Sequence, residues 1–275
     1  MNRTQFSKLI AILILLFSFS SCKQKKNYKV FNNHIQLEGE DNMRDLGGFI
    51  GKDGRRILYR KLFRSGELNE LTTADKDSLL SFQIEQIIDL RTASKRKEAP
   101  NNIPNEITNY HLPLLNIDVD RKLISQILKK QVNAKDFMLN IYQEIDSLKI
   151  ANWTKIFDYL ESNKVTLWHC SSGKDRAGMT TALVLASLGV EKKEIVKDYI
   201  KSNNYLSANN NKIKAVFTKS YGKEAAELFW PILTVQQEYI DVFLTTINKK
   251  YGGIEQFMEI LDVDVQKMRE NYLEK

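Results

Sequence analysis

The alternation of apolar runs and amphipathic stretches along this chain predicts a sheet wrapped by helices. The apolar-rich segments at 86–91, 107–112 and 165–169 have the length and pattern of strands, and QIIDLR at 86–91 is typical of a buried one. After the last of these runs, apolar residues recur every three or four positions, as they do on one face of a helix. Strands that alternate with helices indicate an α/β fold, with a central, mainly parallel sheet flanked by helices and a helix-rich C-terminal half.

Shorter signals fill the rest of the pattern. Extended segments at 34–37 and 57–65 are punctuated by glycines and predict further strands and turns. Thr72 or Thr73 can cap a helix that follows. A mostly helical stretch at about 119–162 separates the second and third apolar runs, and it serves either as a lid or as packing.

The first 22 residues have the pattern of an export signal. Arg3 and Lys8 precede an apolar run at 9–17, which is too short to span a bilayer. Small residues stand directly before Cys22, and this arrangement resembles the lipobox of bacterial lipoproteins, whose cysteine is lipidated and becomes the mature N-terminus. The alternative is an ordinary cleaved secretory signal with an incidental cysteine. Cys22 favours the lipoprotein, because it lies where the apolar run ends and a polar tether begins.

These signals divide the chain into a lipoprotein signal peptide at 1–21, a tether at 22–35 and a single domain at 36–275 that contains the helical insertion. We therefore expect the protein in the bacterial cell envelope. It would lie outside the cytoplasm, with the membrane as a partner through the lipid on Cys22.

Charge and cysteine usage narrow the functional classes. The net charge of +7 is spread along the chain and suits nucleic acid, anionic lipid and phosphorylated substrates equally. The sequence has no zinc-type Cys/His spacing, RNA-binding aromatic motif or nucleotide-type glycine loop, so we expect no nucleic acid partner, no metal and no cofactor. Cys170 is the only cysteine besides Cys22, and an unpaired thiol in an exported domain calls for a chemical explanation.

The segment at 165–190, VTLWHCSSGKDRAGMTTALVLASLGV, supplies that explanation. An apolar strand runs into a loop from Cys170 to Arg176, and a helix follows. Loop amides and the positive end of the helix surround one centre and form an anion site. This field favours a thiolate at Cys170, which can displace the alcohol of a bound phosphate ester and form a phosphocysteine. Arg176 would hold two phosphate oxygens, and the remaining ligands would come from the loop residues Ser171, Ser172, Gly173 and Lys174.

The loop resembles the C-x5-R signature of the protein tyrosine and dual-specificity phosphatases, in particular a bacterial group with the loop HCxxGKDR. Further motifs of that group appear in order over about residues 40–265: NMRDLGGF, LFRSGEL, IIDLR, DYIKSN and KYGGIEQF. The resemblance implies a cysteine-phosphatase-like fold and hydrolysis of phosphomonoesters without a metal.

The chemistry also needs a general acid that protonates the departing oxygen. In the bacterial group the loop aspartate, here Asp175, is a candidate, whereas many relatives place this acid on an upstream loop, where Asp118 lies. A third possibility is that Asp175 only pairs with a neighbouring base. We take Cys170, Arg176 and Asp175 as the predicted catalytic residues.

Lys174 bears on the substrate. A second positive charge at the mouth of the site would favour substrates with more than one phosphate, and relatives with lysine here include phosphoinositide phosphatases. A phosphorylated protein and a phosphoinositide therefore both stay open as substrates. The alternative is a solvated lysine that tunes affinity alone.

Other polar residues of the motifs have structural interpretations. His169 is expected to orient the loop through hydrogen bonds and not to act as an acid or base. Asp89 and Arg91 at a strand end, and Arg44 and Asp45 in the RDLGG motif, are expected to brace neighbouring segments.

Ala177 departs from the family pattern, which has Ser or Thr after the arginine to stabilise the departing thiolate. Thr180 and Thr181 lie about one helical turn too far along to substitute for it. We predict slower hydrolysis of the phosphocysteine and an intact first step. The same departure sustains an alternative function, that of a catalytically impaired, phosphate-binding pseudophosphatase.

Overall fold

A computed structural model of the protein describes residues 33–115 and 119–275. The predicted signal peptide, most of the predicted tether with Cys22, and Asp118 lie outside these residues.

Five short strands form one sheet, in the order β1-β2-β5-β3-β4. Their bounds are β1 Arg44–Asp45, β2 Leu62–Ser65, β3 Gln86–Asp89, β4 Thr108–His111 and β5 Thr166–His169. β1 is antiparallel to β2, and the other neighbours are parallel, which confirms the predicted mainly parallel sheet. Because Ser65, His169 and Asp89 share a register position, three strands end side by side at the carboxyl edge of the sheet.

Helices flank the sheet and fill the C-terminal half, as the periodicity predicts. Their bounds are α1 Thr73–Ser81, α2 Ala93–Glu98, α3 Arg121–Leu128, α4 Ala134–Gln143, α5 Ser147–Glu161, α6 Arg176–Ser187, α7 Lys192–Tyr205, α8 Ser207–Tyr221, α9 Lys223–Leu233, α10 Gln237–Tyr251, α11 Ile254–Ile260 and α12 Val265–Tyr272. Thr72 caps α1 as expected, because it forms a capping box with Asp75. Of the helices described, none is both long and apolar enough to cross a membrane.

The insertion at 119–162 is helical, and its helices have two different roles: one packs in the core, and another forms part of a cavity wall. α5 belongs to the core, since Trp153, Ile156 and Phe157 on it are fully buried. α4 instead contributes Phe137 and Met138 to the wall of a cavity at the carboxyl edge of the sheet.

The strands predicted at 34–37 and 57–65 are longer than the strands that form. His34 makes a single bridge to Arg44 and Ile57 a single bridge to Leu273, while the residues that follow them, 35–37 and 58–61, are not in strands. Their partners are too short to pair further: β1 has two residues, and Leu273 lies directly after α12.

Alternation along the strands divides the core into two clusters, one on each face of the sheet. The smaller cluster takes Phe63, Ile87 and Leu167, and the larger one takes their neighbours Leu62, Ile88 and Trp168. Burying one such side chain contributes roughly 1.5–3 kcal/mol. Burial on both faces therefore holds the strand ends, and the loop that follows β5, in place.

Candidate active site

The loop between β5 and α6 has its carbonyl groups bound from outside. The Ser171 carbonyl accepts a hydrogen bond from the Glu67 amide at 3.0 Å, and the Ser172 carbonyl accepts one from Asn42 Nδ2 at 2.8 Å. The Gly173 carbonyl accepts one from Arg64 Nη2 at 2.6 Å. Because C=O and the next N–H point in opposite directions across a planar trans peptide, these bonds turn the following amides toward the interior of the loop.

Those amides are available to a ligand. Within the part of the chain that the structure describes, the backbone N–H groups from Ser171 to Asp175 donate no hydrogen bond to another residue. They lie at the N-terminus of α6, whose helix dipole adds positive potential. The loop is therefore built as the predicted anion site.

Gly173 is required by the shape of this loop. Its φ of +68° is in the left-handed region, and a Cβ added there would lie 2.6 Å from the Ser65 carbonyl oxygen and the Gly66 nitrogen. The end of β2 therefore passes too close to Gly173 for a side chain to fit.

Cys170 and Arg176 stand at the two ends of the loop. Cys170 is 1% exposed and follows directly on β5. Arg176 donates from Nη2 to Ser171 Oγ at 3.1 Å, while its buried Nη1 has no partner among the described residues. A buried guanidinium nitrogen without an acceptor is unusual, and a bound oxyanion would supply one.

A buried ionic cluster holds the loop from below. Asp198 on α7 accepts hydrogen bonds from Arg44 Nε and from Arg64 Nη1, each at 2.9 Å, and all three side chains are almost fully buried. Burial lowers the pKa of Arg64 to about 10, so Arg64 stays charged at neutral pH. Two arginines and one aspartate give this cluster a net positive charge beneath the loop. This arrangement confirms the bracing role expected for Arg44.

His169 orients the loop, as expected. Nδ1 lies 3.3 Å from the Cys170 carbonyl, and Nε2 lies 3.0 Å from Asn101 Nδ2. Burial lowers the pKa of His169 to about 4, which keeps the imidazole neutral. A neutral ring with Nδ1 as donor and Nε2 as acceptor satisfies both contacts.

Asp89, Arg91 and Asp45 brace neighbouring segments, as expected. Arg91 pairs with Asp89 at 2.7 Å and with Glu67 at 2.6 Å, which ties the end of β3 to the residue that holds the Ser171 carbonyl. Asp45 accepts hydrogen bonds from the backbone of Gly47 and Arg60.

Lys174 does not present a free charge at the mouth of the site. It is 5% exposed, and its Nζ donates to Asp175 Oδ2 and to the Ile232 carbonyl, each at 2.8 Å. Neither of its predicted environments, a second charge at the mouth or a solvated lysine, matches this contact. The loop folds Lys174 inward because the Asp175 carboxylate compensates its charge where water is excluded.

Asp175 is thus held on both oxygens. Lys174 occupies Oδ2, and the Tyr142 hydroxyl donates to Oδ1 at 2.8 Å. The Tyr199 hydroxyl lies 2.7 Å from that of Tyr142, and burial raises the pKa of both tyrosines well above its usual value. Both hydroxyls therefore remain protonated, and they form a series of hydrogen bonds that ends at the Asp175 carboxylate.

The hydroxyl groups near Ala177 serve other contacts. Thr180 Oγ1 accepts from Trp153 Nε1 at 3.2 Å. Thr181 Oγ1 donates to the Ala177 carbonyl at 2.7 Å and accepts from Trp168 Nε1 at 3.0 Å. This geometry agrees with the expectation that neither threonine replaces the missing hydroxyl at position 177.

A cavity of about 270 Å³ opens onto the loop. One side of it is polar and formed by the loop itself, including Ser171, Asp175 and Arg176. The other side is apolar and comes from α4 and α9, with Phe137, Ile141, Phe229 and Ile232. No group of three or more His, Cys, Asp or Glu side chains between 33 and 115 or between 119 and 275 is arranged to hold a metal ion.

Sequence reasoning missed four residues of the support. Arg64 lies in the LFRSGEL motif and Asp198 in the DYIKSN motif, and an arginine directly after two apolar residues of a strand is the signal that could have identified Arg64. Asn42 is the first residue of the NMRDLGGF motif, but nothing in that motif predicts its bond to the loop. Tyr142 is one aromatic residue on an amphipathic helix, and nothing in its surroundings predicts a contact with Asp175.

The fold and the loop define the class of this protein, a cysteine-dependent phosphatase, and comparison with known proteins gives its family. The model of the tyrosine phosphatase family matches residues 35–274, and the chain belongs to that family.

Two curated relatives that match most of this chain are also named as phosphatases. A protein of Cupriavidus necator assigned as a tyrosine-protein phosphatase is 27% identical over 235 residues, which cover 84% of this chain and 85% of that protein. The triple specificity protein phosphatase PtpB of Mycobacterium tuberculosis is 25% identical over 271 residues, covering 85% of this chain and 97% of that one. Among solved structures, a variant of P. aeruginosa TpbA in complex with phosphotyrosine is similar at a TM-score of 0.35 and 12% identity, over 70% of this chain and 90% of that one.

Proposed function

We propose that the protein hydrolyses phosphotyrosine in phosphorylated proteins, with Cys170 as nucleophile, Arg176 as phosphate ligand and Asp175 as general acid. The observation that carries the proposal is the combination, in one loop, of a buried thiol with amides and a guanidinium nitrogen that have no partner among residues 33–115 and 119–275. A phosphate monoester supplies acceptors for these donors and an electrophile for the sulfur.

Two features favour phosphotyrosine over a phosphoinositide. The apolar wall from α4 and α9 suits the ring of a tyrosine, which buries a large apolar area. Lys174 is already paired with Asp175, so its charge is not free for a second phosphate.

The reaction would proceed in two displacements. Thiolate Sγ of Cys170 attacks phosphorus, the bond from phosphorus to the phenolic oxygen breaks, and protonated Asp175 gives its proton to that oxygen. Water then attacks the phosphocysteine, the Asp175 carboxylate takes its proton, and inorganic phosphate leaves as the thiolate returns. Arg176 and the loop amides stabilise the charge on the phosphoryl oxygens in both steps.

The contacts of Asp175 suit the second role of this residue. Hydrogen bonds from Lys174 and Tyr142 fix the orientation of the Asp175 carboxyl group, so that it can take a proton from the attacking water. The alanine at 177 acts against the same step, because it offers no hydroxyl to the departing thiolate.

Hydrolysis of para-nitrophenyl phosphate tests the nucleophile. We expect turnover that vanadate inhibits, and a loss of more than about 10³-fold in kcat for Cys170→Ser. Ser187→Ala, a buried hydroxyl elsewhere on α6, serves as the control and should retain activity. Turnover that survives Cys170→Ser would refute the mechanism. Vanadate binding without turnover in the unsubstituted protein would instead establish the pseudophosphatase.

Leaving-group dependence tests the acid. Asp175→Asn should slow phosphotyrosine hydrolysis by about 10²-fold, and para-nitrophenyl phosphate much less, because nitrophenolate departs without a proton. Asp118→Asn is the matched comparison. If Asp118→Asn shows the leaving-group dependence and Asp175→Asn does not, the assignment moves to Asp118.

We further propose that Cys22 carries lipid and anchors the protein in the cell envelope outside the cytoplasm. Support comes from the apolar run at 9–17, the small residues before Cys22 and the polar residues after it. Metabolic labelling with a fatty acid in a bacterial host should mark the unsubstituted chain and not Cys22→Ser. An unlabelled chain that is released in soluble form would show an ordinary secretory signal instead.

A further inference from the structure

A second cavity lies beside the loop, and it differs in character from the first. It has a volume of about 490 Å³ and shares Ser171, Ser172, Leu206 and Asn209 with the cavity that the apolar wall lines. Its other walls come from the segment 38–41 before β1, the segment 66–70 after β2, and Lys212 on α8. We call this cavity the acidic groove.

Five carboxylates line the acidic groove against a single lysine: Glu38, Glu40, Asp41, Glu67 and Glu70, with Lys212. Glu67 is paired with Arg91. For Glu38, Asp41 and Glu70, no ion pair with a lysine or arginine occurs within the described residues. Even with Glu67 and Glu40 set aside, these three acids outnumber Lys212, so the groove has a negative potential.

Glu40 gives the groove a specific feature beyond its charge. The residue is 6% exposed, and its Oε1 accepts from the Gly66 amide at 2.6 Å and from the Asn42 amide at 2.8 Å. Its other oxygen, Oε2, is buried without a partner among the described residues. A buried carboxylate oxygen without a donor is costly, and a donor that entered from the groove would satisfy it.

Glu40 is poorly compensated for its burial. Burial raises the pKa of Glu40 to about 7, because backbone hydrogen bonds and the charge of Arg44 offset only part of the lost hydration. A cation placed in the groove would stabilise the carboxylate in a site where water screens little.

We propose that the acidic groove binds a lysine or arginine side chain of a phosphorylated protein substrate, while its phosphotyrosine occupies the loop. The inference rests on the proposed function and deepens it. Because Ser171 and Ser172 line both cavities, the two sites are adjacent, and the basic residue would stand close in sequence to the phosphotyrosine. A substrate with a further phosphate beside the first would meet the same carboxylates and be repelled.

A long, flexible amine or guanidinium fits better than a metal ion. The carboxylates of the groove stand on separate segments, and they are not clustered as a three-ligand metal site. Lysine and arginine side chains carry several donors, which can bind Glu40 together with the outer acids, Glu38, Asp41 and Glu70.

Three phosphotyrosine peptides that differ only beside the phosphorylated residue test the inference: one with two arginines, one with two alanines and one with two glutamates. The unsubstituted protein should hydrolyse the arginine peptide with a kcat/KM roughly tenfold above that of the alanine peptide, mainly through KM. The glutamate peptide should be slower than both. Added salt should reduce the preference, because the outer acids are exposed to solvent.

The double variant Glu38→Gln/Glu70→Gln should bring the ratio of arginine to alanine peptide close to one. Glu191→Gln/Glu255→Gln removes the same charge from other parts of the surface and should leave the ratio unchanged. Affinities of Cys170→Ser for the three peptides, measured by calorimetry, give a readout that does not depend on turnover.

The outcomes separate the two proposals. Equal kcat/KM values and equal affinities for the three peptides, with para-nitrophenyl phosphate hydrolysed normally, would overturn the acidic groove and leave the proposed function intact. A preference that survives the groove variant would also overturn it. If the unsubstituted protein hydrolyses neither the peptides nor para-nitrophenyl phosphate, the proposed function fails, and this inference fails with it.

Discussion

Replacing Asp198 with asparagine keeps the shape of the side chain and removes the counter-charge of two buried arginines. Arg44 and Arg64 each lie 2.9 Å from this carboxylate, and neither guanidinium has contact with water. Burial alone would raise the pKa of Asp198, but Arg44 and Arg64 lower it below its usual value, so the carboxylate is charged when the substitution removes it. The variant leaves two positive charges buried without compensation.

The expected loss is large. Removing one partner of a buried ion pair destabilises a protein by about 3–5 kcal/mol. Proteins of this kind have total stabilities of about 5–15 kcal/mol, so a substantial fraction would be lost and the melting temperature would fall by roughly 10 °C. Because Arg64 also holds the Gly173 carbonyl, we expect KM for para-nitrophenyl phosphate to rise as the loop loosens.

Urea unfolding, followed by tryptophan fluorescence, measures the loss of stability. Glu194→Gln is the control, because it removes a carboxylate from the same helix in an exposed pair with Lys197 and should leave the midpoint unchanged. Adding Arg44→Met to Asp198→Asn should recover part of the loss, since it removes one uncompensated charge. A loss below about 1 kcal/mol for Asp198→Asn, with an unchanged denaturant slope, would refute the reasoning.

Three further predictions concern the loop. Burial lowers the pKa of His169 to about 4 from its ordinary 6.5, so between these pH values only the unfolded chain binds this proton. Roughly 3 kcal/mol of stability should therefore be lost as the pH falls through that window. His169→Asn cannot bind the proton, and its free energy of unfolding should fall less steeply from pH 7 to pH 4 than that of the unsubstituted protein. Ala177→Ser should speed the hydrolysis of the phosphocysteine and shrink the burst that precedes steady turnover, and an unaltered burst and rate would show that the missing hydroxyl does not limit the enzyme. Gly173→Ala should lower kcat/KM by more than about 10²-fold, because its Cβ would displace the loop from the end of β2; normal kinetics would mean that the loop tolerates the shift.

Local signals in the sequence were sufficient for the anion-binding loop and the class of fold. A strand, a seven-residue loop from Cys170 to Arg176 and a helix follow one another directly, so their geometry depends on neighbours in the chain. Burial of both faces of β3 and β5 likewise follows from consecutive apolar residues. The segment at 34–37 forms a single bridge and not the predicted strand, because strand formation also needs a partner edge, and the partner, β1, has two residues.

Only the tertiary structure decided what holds the loop and what surrounds it. Asp198 meets Arg44 across 154 positions of the chain, and Tyr142 meets Asp175 across 33. The inward turn of Lys174 depends on a carbonyl of α9, and the acidic groove forms where segments before β1 and after β2 face the loop. Hydrophobic periodicity and turn chemistry determined the elements and the reactive loop, since they act over a few residues. The ionic support and the shape of the cavities depend on which distant side chains the packed fold brings together, because charges interact through space and not along the chain.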